Sequence, residues 1–72
     1  MASKEPRDPA LREAVRRGLM PADIAAAFDD WSDELATKLT NGEVTQAEAE
    51  AMTESRARAD AIEAKRRGYP KS

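Results

Sequence analysis

The chain has no cysteine and no histidine, single residues of Phe, Trp and Tyr, only three glycines, and no apolar run of membrane-spanning length. Each gap removes a class of protein. Without cysteine no disulfide can brace the fold, and without cysteine or histidine a structural zinc site loses its usual ligands. A transmembrane helix needs about 20 consecutive apolar residues, and a secretory signal needs a charged stretch followed by an apolar one. Neither pattern is present, so the expectation is a soluble, cytoplasmic protein. Nor is there a nucleophile paired with a base, a glycine-rich phosphate loop or a cofactor fingerprint. A non-enzymatic protein with no cofactor and no metal follows as the expectation.

Large apolar side chains are scarce as well. Hydrophobic residues make up 40% of the 72, and more than half of them are alanine. A chain of this length buries only about 60% of the surface its unfolded form exposes. Apolar burial at about 25 cal/mol per Å² then barely offsets an ordering cost of about 1.5 kcal/mol per residue. The core is expected to be thin, which leaves room for a bound protein partner or a homodimer to complete it.

Charge is what the chain has in quantity, with 12 basic and 14 acidic residues and a net charge of −2. Its distribution is uneven: residues 1–20 carry +2, 21–42 carry −4, 43–55 carry −4 and 56–72 carry +4. The middle is acidic and both ends are basic.

Helix signals divide the chain clearly. MASKEPRD reads as a disordered leader over residues 1–8. Asp8 as cap and Pro9 in the first turn open a short helix over about 9–17, which Arg16, Arg17 and Gly18 close. Pro21 opens a second, over about 21–40. Its residues Ile24, Phe28, Trp31, Leu35 and Leu39 keep helical spacing on one face, with Asp29, Asp30, Asp33 and Thr37 opposite. In LTNGEVTQAEAEAM, Asn41 and Gly42 end that helix, and Thr45 with Glu48 forms the capping box of a third. Val44 is placed to staple onto its first turn.

The third helix, about 46–67, carries a weak stripe of Ala51, Met52, Ser55, Ala59 and Ile62, small enough to admit a neighbouring helix closely. The short connection favours antiparallel pairing, in a register where Asp29, Asp30 and Asp33 meet Arg56 and Arg58. Gly68 and Pro70 stop the helix and leave 68–72 as a basic flexible tail. The fold class predicted is all-α: a short N-terminal helix, then a long antiparallel helical hairpin, in one helical domain over 9–67. Its self-association stripe is Ile24, Phe28, Trp31, Leu35, Leu39, Met52 and Ile62.

Four stretches invite sharper readings. AVRRGLMPADIAAAF has the small residue and turn glycine of a helix-turn-helix at Ala14 and Gly18. However, Arg17 stands where an apolar residue is needed, and Ala22, Asp23, Ala25 and Ala26 offer nothing to a base edge. FDDWSDE gathers Asp29, Asp30, Asp33 and Glu34, but without the spacing of a calcium loop it reads as a solvated or ion-paired face. Trp31 with Phe28 and Leu35 is either a core anchor or an exposed hot spot for another protein. AKRRGYPKS, with Arg66, Arg67, Tyr69 and Lys71, is either helix-terminal charge or a docking tail for an acidic surface.

The segment Gly42, Glu43, Val44, Thr45 and Glu48 is similar to the short helical hairpins at the ends of many bacterial proteins, with Ala49 where those hairpins often carry an aromatic. Small size, dense charge and a thin core also resemble phage or plasmid accessory proteins, and that resemblance implies binding to a larger host machine. The expected function is therefore a protein-binding regulator, inhibitor or adaptor acting through Phe28, Trp31, Leu35, Arg66, Arg67, Tyr69 and Lys71. Two alternatives rank below it. One is a nucleic-acid-binding regulator using Arg16, Arg17, Arg66, Arg67 and Lys71 against phosphate; the other is a disordered segment that folds on its target.

Overall fold

The computed structural model describes residues 5–71 and consists of three helices, α1 (Pro9–Arg16), α2 (Ala22–Thr40) and α3 (Gln46–Arg66). No strand occurs among the described residues. Helix α2 packs against both α1 and α3, so the expected all-α hairpin with a short leading helix is present. The molecule measures 40 × 27 × 18 Å.

Local chemistry places each helix end. The Asp8 carboxylate accepts the Ala10 N–H at 2.8 Å, with Pro9 in the first turn of α1. At the corner, Gly42 takes φ +76°, a conformation that side chains with a Cβ disfavour. The Glu43 N–H can then reach back to the Lys38 carbonyl at 2.9 Å and the Gly42 N–H to the Leu39 carbonyl at 3.2 Å. This double bond pattern satisfies carbonyls that the end of a helix would leave open. Thr45 then starts α3: its hydroxyl accepts the Glu48 N–H at 3.1 Å, while Glu48 accepts the Thr45 N–H at 2.9 Å. The backbone N–H of Thr45 and its hydroxyl both favour the charged form, holding the Glu48 carboxyl below its usual range.

The inward face of α3 differs from the expected one. Ala51, Met52, Ser55, Ala59 and Ile62 are all exposed, and the buried or half-buried residues are Ala49, Thr53, Arg56, Asp60, Glu63 and Ala64. Bulk on α2 is the reason. Phe28 and Trp31 stand with ring centroids 5.7 Å apart, Leu35 is buried beside them, and α3 can approach only where its own side chains are short or can lie flat. Arg56 does the latter, with its guanidinium carbon 5.5 Å from the Trp31 ring centroid and its Nε 3.3 Å from Asp60.

The acidic face of α2 is also partnered differently. Arg7, not Arg56 or Arg58, answers Asp29 and Asp33: its backbone N–H donates to Asp29 Oδ2 at 2.8 Å and its guanidinium pairs with Asp33, while also approaching Asp30 at 3.9 Å. Arg58 instead pairs with Glu54 of its own helix. Asp29, expected on a solvated or ion-paired face, is ion-paired with Arg7 at 3.5 Å and 7% exposed, because the segment before α1 lies over it. Pro6 of that segment is fully buried, and its carbonyl accepts Arg12 Nε at 2.7 Å. Of the expected leader, residues 1–4 lie outside the described residues, while 5–8 form an arm against α2.

The tail is placed too. The Lys71 N–H donates to the Gly18 carbonyl at 2.7 Å and the Tyr69 N–H to the Ala64 carbonyl at 2.9 Å. Residues 68–71, expected as a flexible extension, thus tie the end of α3 to the end of α1.

Candidate functional site

A concave feature follows the seam between α2 and α3. Near the corner, Leu35, Leu39, Ala36, Ala49, Thr53 and Ala57 line a hollow of about 490 Å³. Toward α1, a second hollow of about 300 Å³ lies among Leu11, Leu19, Met20, Phe28, Ala61 and Ala64. Ala57 lines both, so the two hollows adjoin as a groove on one face of the hairpin. Its floor on α3 is alanine at 49, 57, 61 and 64, and its walls are the large side chains of α1, the α1–α2 turn and α2. Such a groove arises because alanine lets two helix backbones come close while filling little of the space above them.

The residues expected to bind a partner do not form one patch. Phe28 and Leu35 line the groove. Trp31 is half-buried on the opposite side of the seam, in a shallow hollow with Asp30, Glu34 and Arg56. Arg66 lies at the end of α3 and pairs with Glu63 at 3.1 Å. Arg67 bridges Glu63 at 3.0 Å and Asp23 of α2 at 2.8 Å. Tyr69 is half-buried, with the Lys71 ammonium 5.1 Å from its ring centroid.

The Asp23–Arg67 contact is an ion pair between the first turn of α2 and the residue that caps the end of α3. The hydrogen bond from Arg67 holds the Asp23 carboxyl below its usual range, and the same contact, with Glu63 second, raises Arg67. At the end of α1, Arg16 and Arg17 both bond Glu13, and those bonds, Arg16 first, lower the Glu13 carboxyl. The Lys71–Gly18 bond brings the basic ends of α1 and α3 to one pole, with Glu13 and Glu63 as their counterions.

Groove residues outside the expected set include Leu11, Leu19, Met20 and Leu39, together with the α3 alanines at 49, 57, 61 and 64. A signal for them existed in the alanines at 57, 61 and 64, spaced to share one side of a helix. No group of acidic residues among those described could hold a metal ion, and Arg7 occupies the centre of the aspartate cluster. No helix of the described residues is long and apolar enough to cross a membrane.

Fold and groove together define a small all-α protein with a three-helix scaffold and an apolar groove between α2 and α3. The chain matches no protein-family model, and no curated protein or solved structure is significantly similar to it.

Proposed function

We propose that this chain is a non-enzymatic protein-binding module, a regulator, inhibitor or adaptor of a larger assembly, that receives an amphipathic helix of its partner in the α2–α3 groove. The observation that carries this reading is the meeting of two apolar hollows at Ala57. Helix-in-groove recognition needs an elongated apolar channel that takes anchors one helical turn apart. The charged side chains lining the corner end of the channel are Glu50 and Glu54. A partner helix with lysine or arginine beside its apolar anchors complements them. Leu19, half exposed at the other end, adds apolar surface of the kind that marks an interaction site.

Ala57→Trp tests this reading. Ala57 is exposed, so the indole fills the channel without entering the core. Capture of the partner from the native cell is expected to fall at least tenfold, which corresponds to about 1.4 kcal/mol, with helicity by circular dichroism unchanged. Capture by the variant equal to that by the parent chain defeats the proposal.

The pole where Lys71 meets Gly18 supports a second reading, contact with nucleic acid phosphate through Arg16, Arg17, Arg66, Arg67 and Lys71. Against it, these four guanidiniums already hold carboxylates. A gel shift of random duplex DNA across a salt series decides, and no shift at low salt removes this reading.

A further inference from the structure

The outward face of α3 carries an exposed row at 48, 52, 55, 59, 62 and 66, with steps alternating four and three, whose end charges Glu48 and Arg66 also bond Thr45 and Glu63 of the same chain. That is the a/d spacing of a coiled-coil seam. In order the residues are Glu48, Met52, Ser55, Ala59, Ile62 and Arg66. All are exposed, Met52 at 38% and Ile62 at 60%. Folding of a single chain leaves these two large apolar groups largely in water while burying alanine and half-burying an ion pair on another side of the same helix.

The row reads as its own complement when reversed. Antiparallel pairing with a second α3 about a two-fold axis midway between Ser55 and Ala59 sets Met52 against Ile62 of the second copy. It sets Ser55 against Ala59 and Glu48 against Arg66, each contact occurring twice. Apolar meets apolar, small meets small at the centre where the backbones come closest, and acid meets base at both ends. Parallel pairing instead puts Glu48 on Glu48 and Arg66 on Arg66, so the charges select one orientation. Arg58, which flanks the centre, has its own counterion in Glu54 at 3.1 Å. The geometry points to a second copy of this chain as the occupant of this face, in an antiparallel α3–α3 homodimer held by Met52 and Ile62 and oriented by Glu48 and Arg66.

This face lies on the side of α3 away from the groove, so the dimer is independent of the function proposed above. The seam runs along a helix of 21 residues, about 30 Å at 1.5 Å per residue. It leaves the groove of each copy open.

Sedimentation of the full chain over a concentration series is expected to give a reversible monomer–dimer equilibrium. Ile62→Asp is expected to abolish the dimer with helicity retained, because this side chain touches solvent in the monomer. Arg66→Glu weakens association at low salt by about tenfold, a factor equivalent to about 1.4 kcal/mol. Ala57→Trp leaves it intact.

Orientation is read by cysteine pairing, clean in a chain that has no cysteine of its own. Ser55→Cys mixed with Ala59→Cys forms the mixed disulfide at least tenfold faster than either variant links to itself. A monomer mass at every concentration, association unchanged by Ile62→Asp, or self-linking as fast as mixed linking overturns the proposal.

Discussion

The two sides of α3 divide their residues against hydropathy. Facing α2 are Ala49, Thr53, Arg56, Asp60 and Ala64; facing outward are Met52 and Ile62 with Ser55 and Ala59 between them. A ranking by transfer free energy would reverse this assignment. What decides it is the shape of α2, whose Phe28, Trp31 and Leu35 already fill the space between the helices. Small side chains then gain more by close approach than large ones could by forcing the helices apart. Even the arginine on the inner side is held as a flat surface against an indole, and its charge is met by Asp60. The outer side keeps the apolar groups that one chain has no means to cover.

The widest separation between the two sides is expected at Leu35 and Ile62. Leu35→Ala removes a side chain that is 7% exposed and is expected to cost about 2–5 kcal/mol, enough to unfold much of so small a domain. Ile62→Ala, in dilute solution where the chain is monomeric, is expected to change stability by less than about 0.5 kcal/mol. Urea titration followed by circular dichroism measures both, and equal costs would erase the distinction.

The arm offers the next test, because it is the reason an acidic position of α2 is buried at all. Asp29→Ala leaves the Arg7 N–H without its acceptor and is expected to cost about 1 kcal/mol. It is also expected to speed hydrogen exchange at Arg7, where an unchanged exchange rate would mean that the arm is held by Pro6 alone.

A smaller effect sharpens the comparison within α3 itself. Arg56→Ala loses both the indole face and Asp60, for an expected cost of about 0.5–1 kcal/mol. The outward Arg58→Ala loses an exposed pair with Glu54 and is expected to cost no more than about 0.5 kcal/mol. Trp31 fluorescence should shift in the first variant and stay constant in the second.

Acid should act mainly on the helix ends and the clasps between elements. Glu13, Asp23 and Glu48 all have carboxyls held below their usual range by hydrogen bonds from Arg16, Arg67 and Thr45 respectively. The folded chain therefore binds fewer protons at these sites than the unfolded chain. Their contribution is complete above the unfolded values and is lost as pH falls through the folded ones, below about pH 4. A fall in thermal midpoint on acidification is expected, smaller in Asp23→Asn than in the parent chain.

Much of the architecture can be read from single stretches of sequence. Asp8 before Pro9 opens α1, Thr45 with Glu48 opens α3, and glycines at 18 and 42 mark where the chain stops being helical, because each of these signals acts within a few residues of itself. The apolar spacing of Ile24, Phe28, Trp31, Leu35 and Leu39 likewise picks out a side of α2 that is at least half-buried, since a row of large groups at helical period tends to leave water together, but Ala25, Ala26 and Asp29, off that row, are buried as well.

The candidate groove was less legible. Phe28 and Leu35 were expected at an interaction site, but the alanines that make the channel carry almost no hydropathy signal. The walls at Leu11, Leu19 and Met20 meet α3 only across the α1–α2 turn. The inner side of α3, the arm over Asp29 and the tail on Gly18 depend on which surfaces arrive next to one another. Local propensity settled where helices begin, turn and end, because their bonds close within one turn. Packing settled which side of α3 is covered and who neutralises Asp29, because those choices compare residues far apart in the chain and are made by fit.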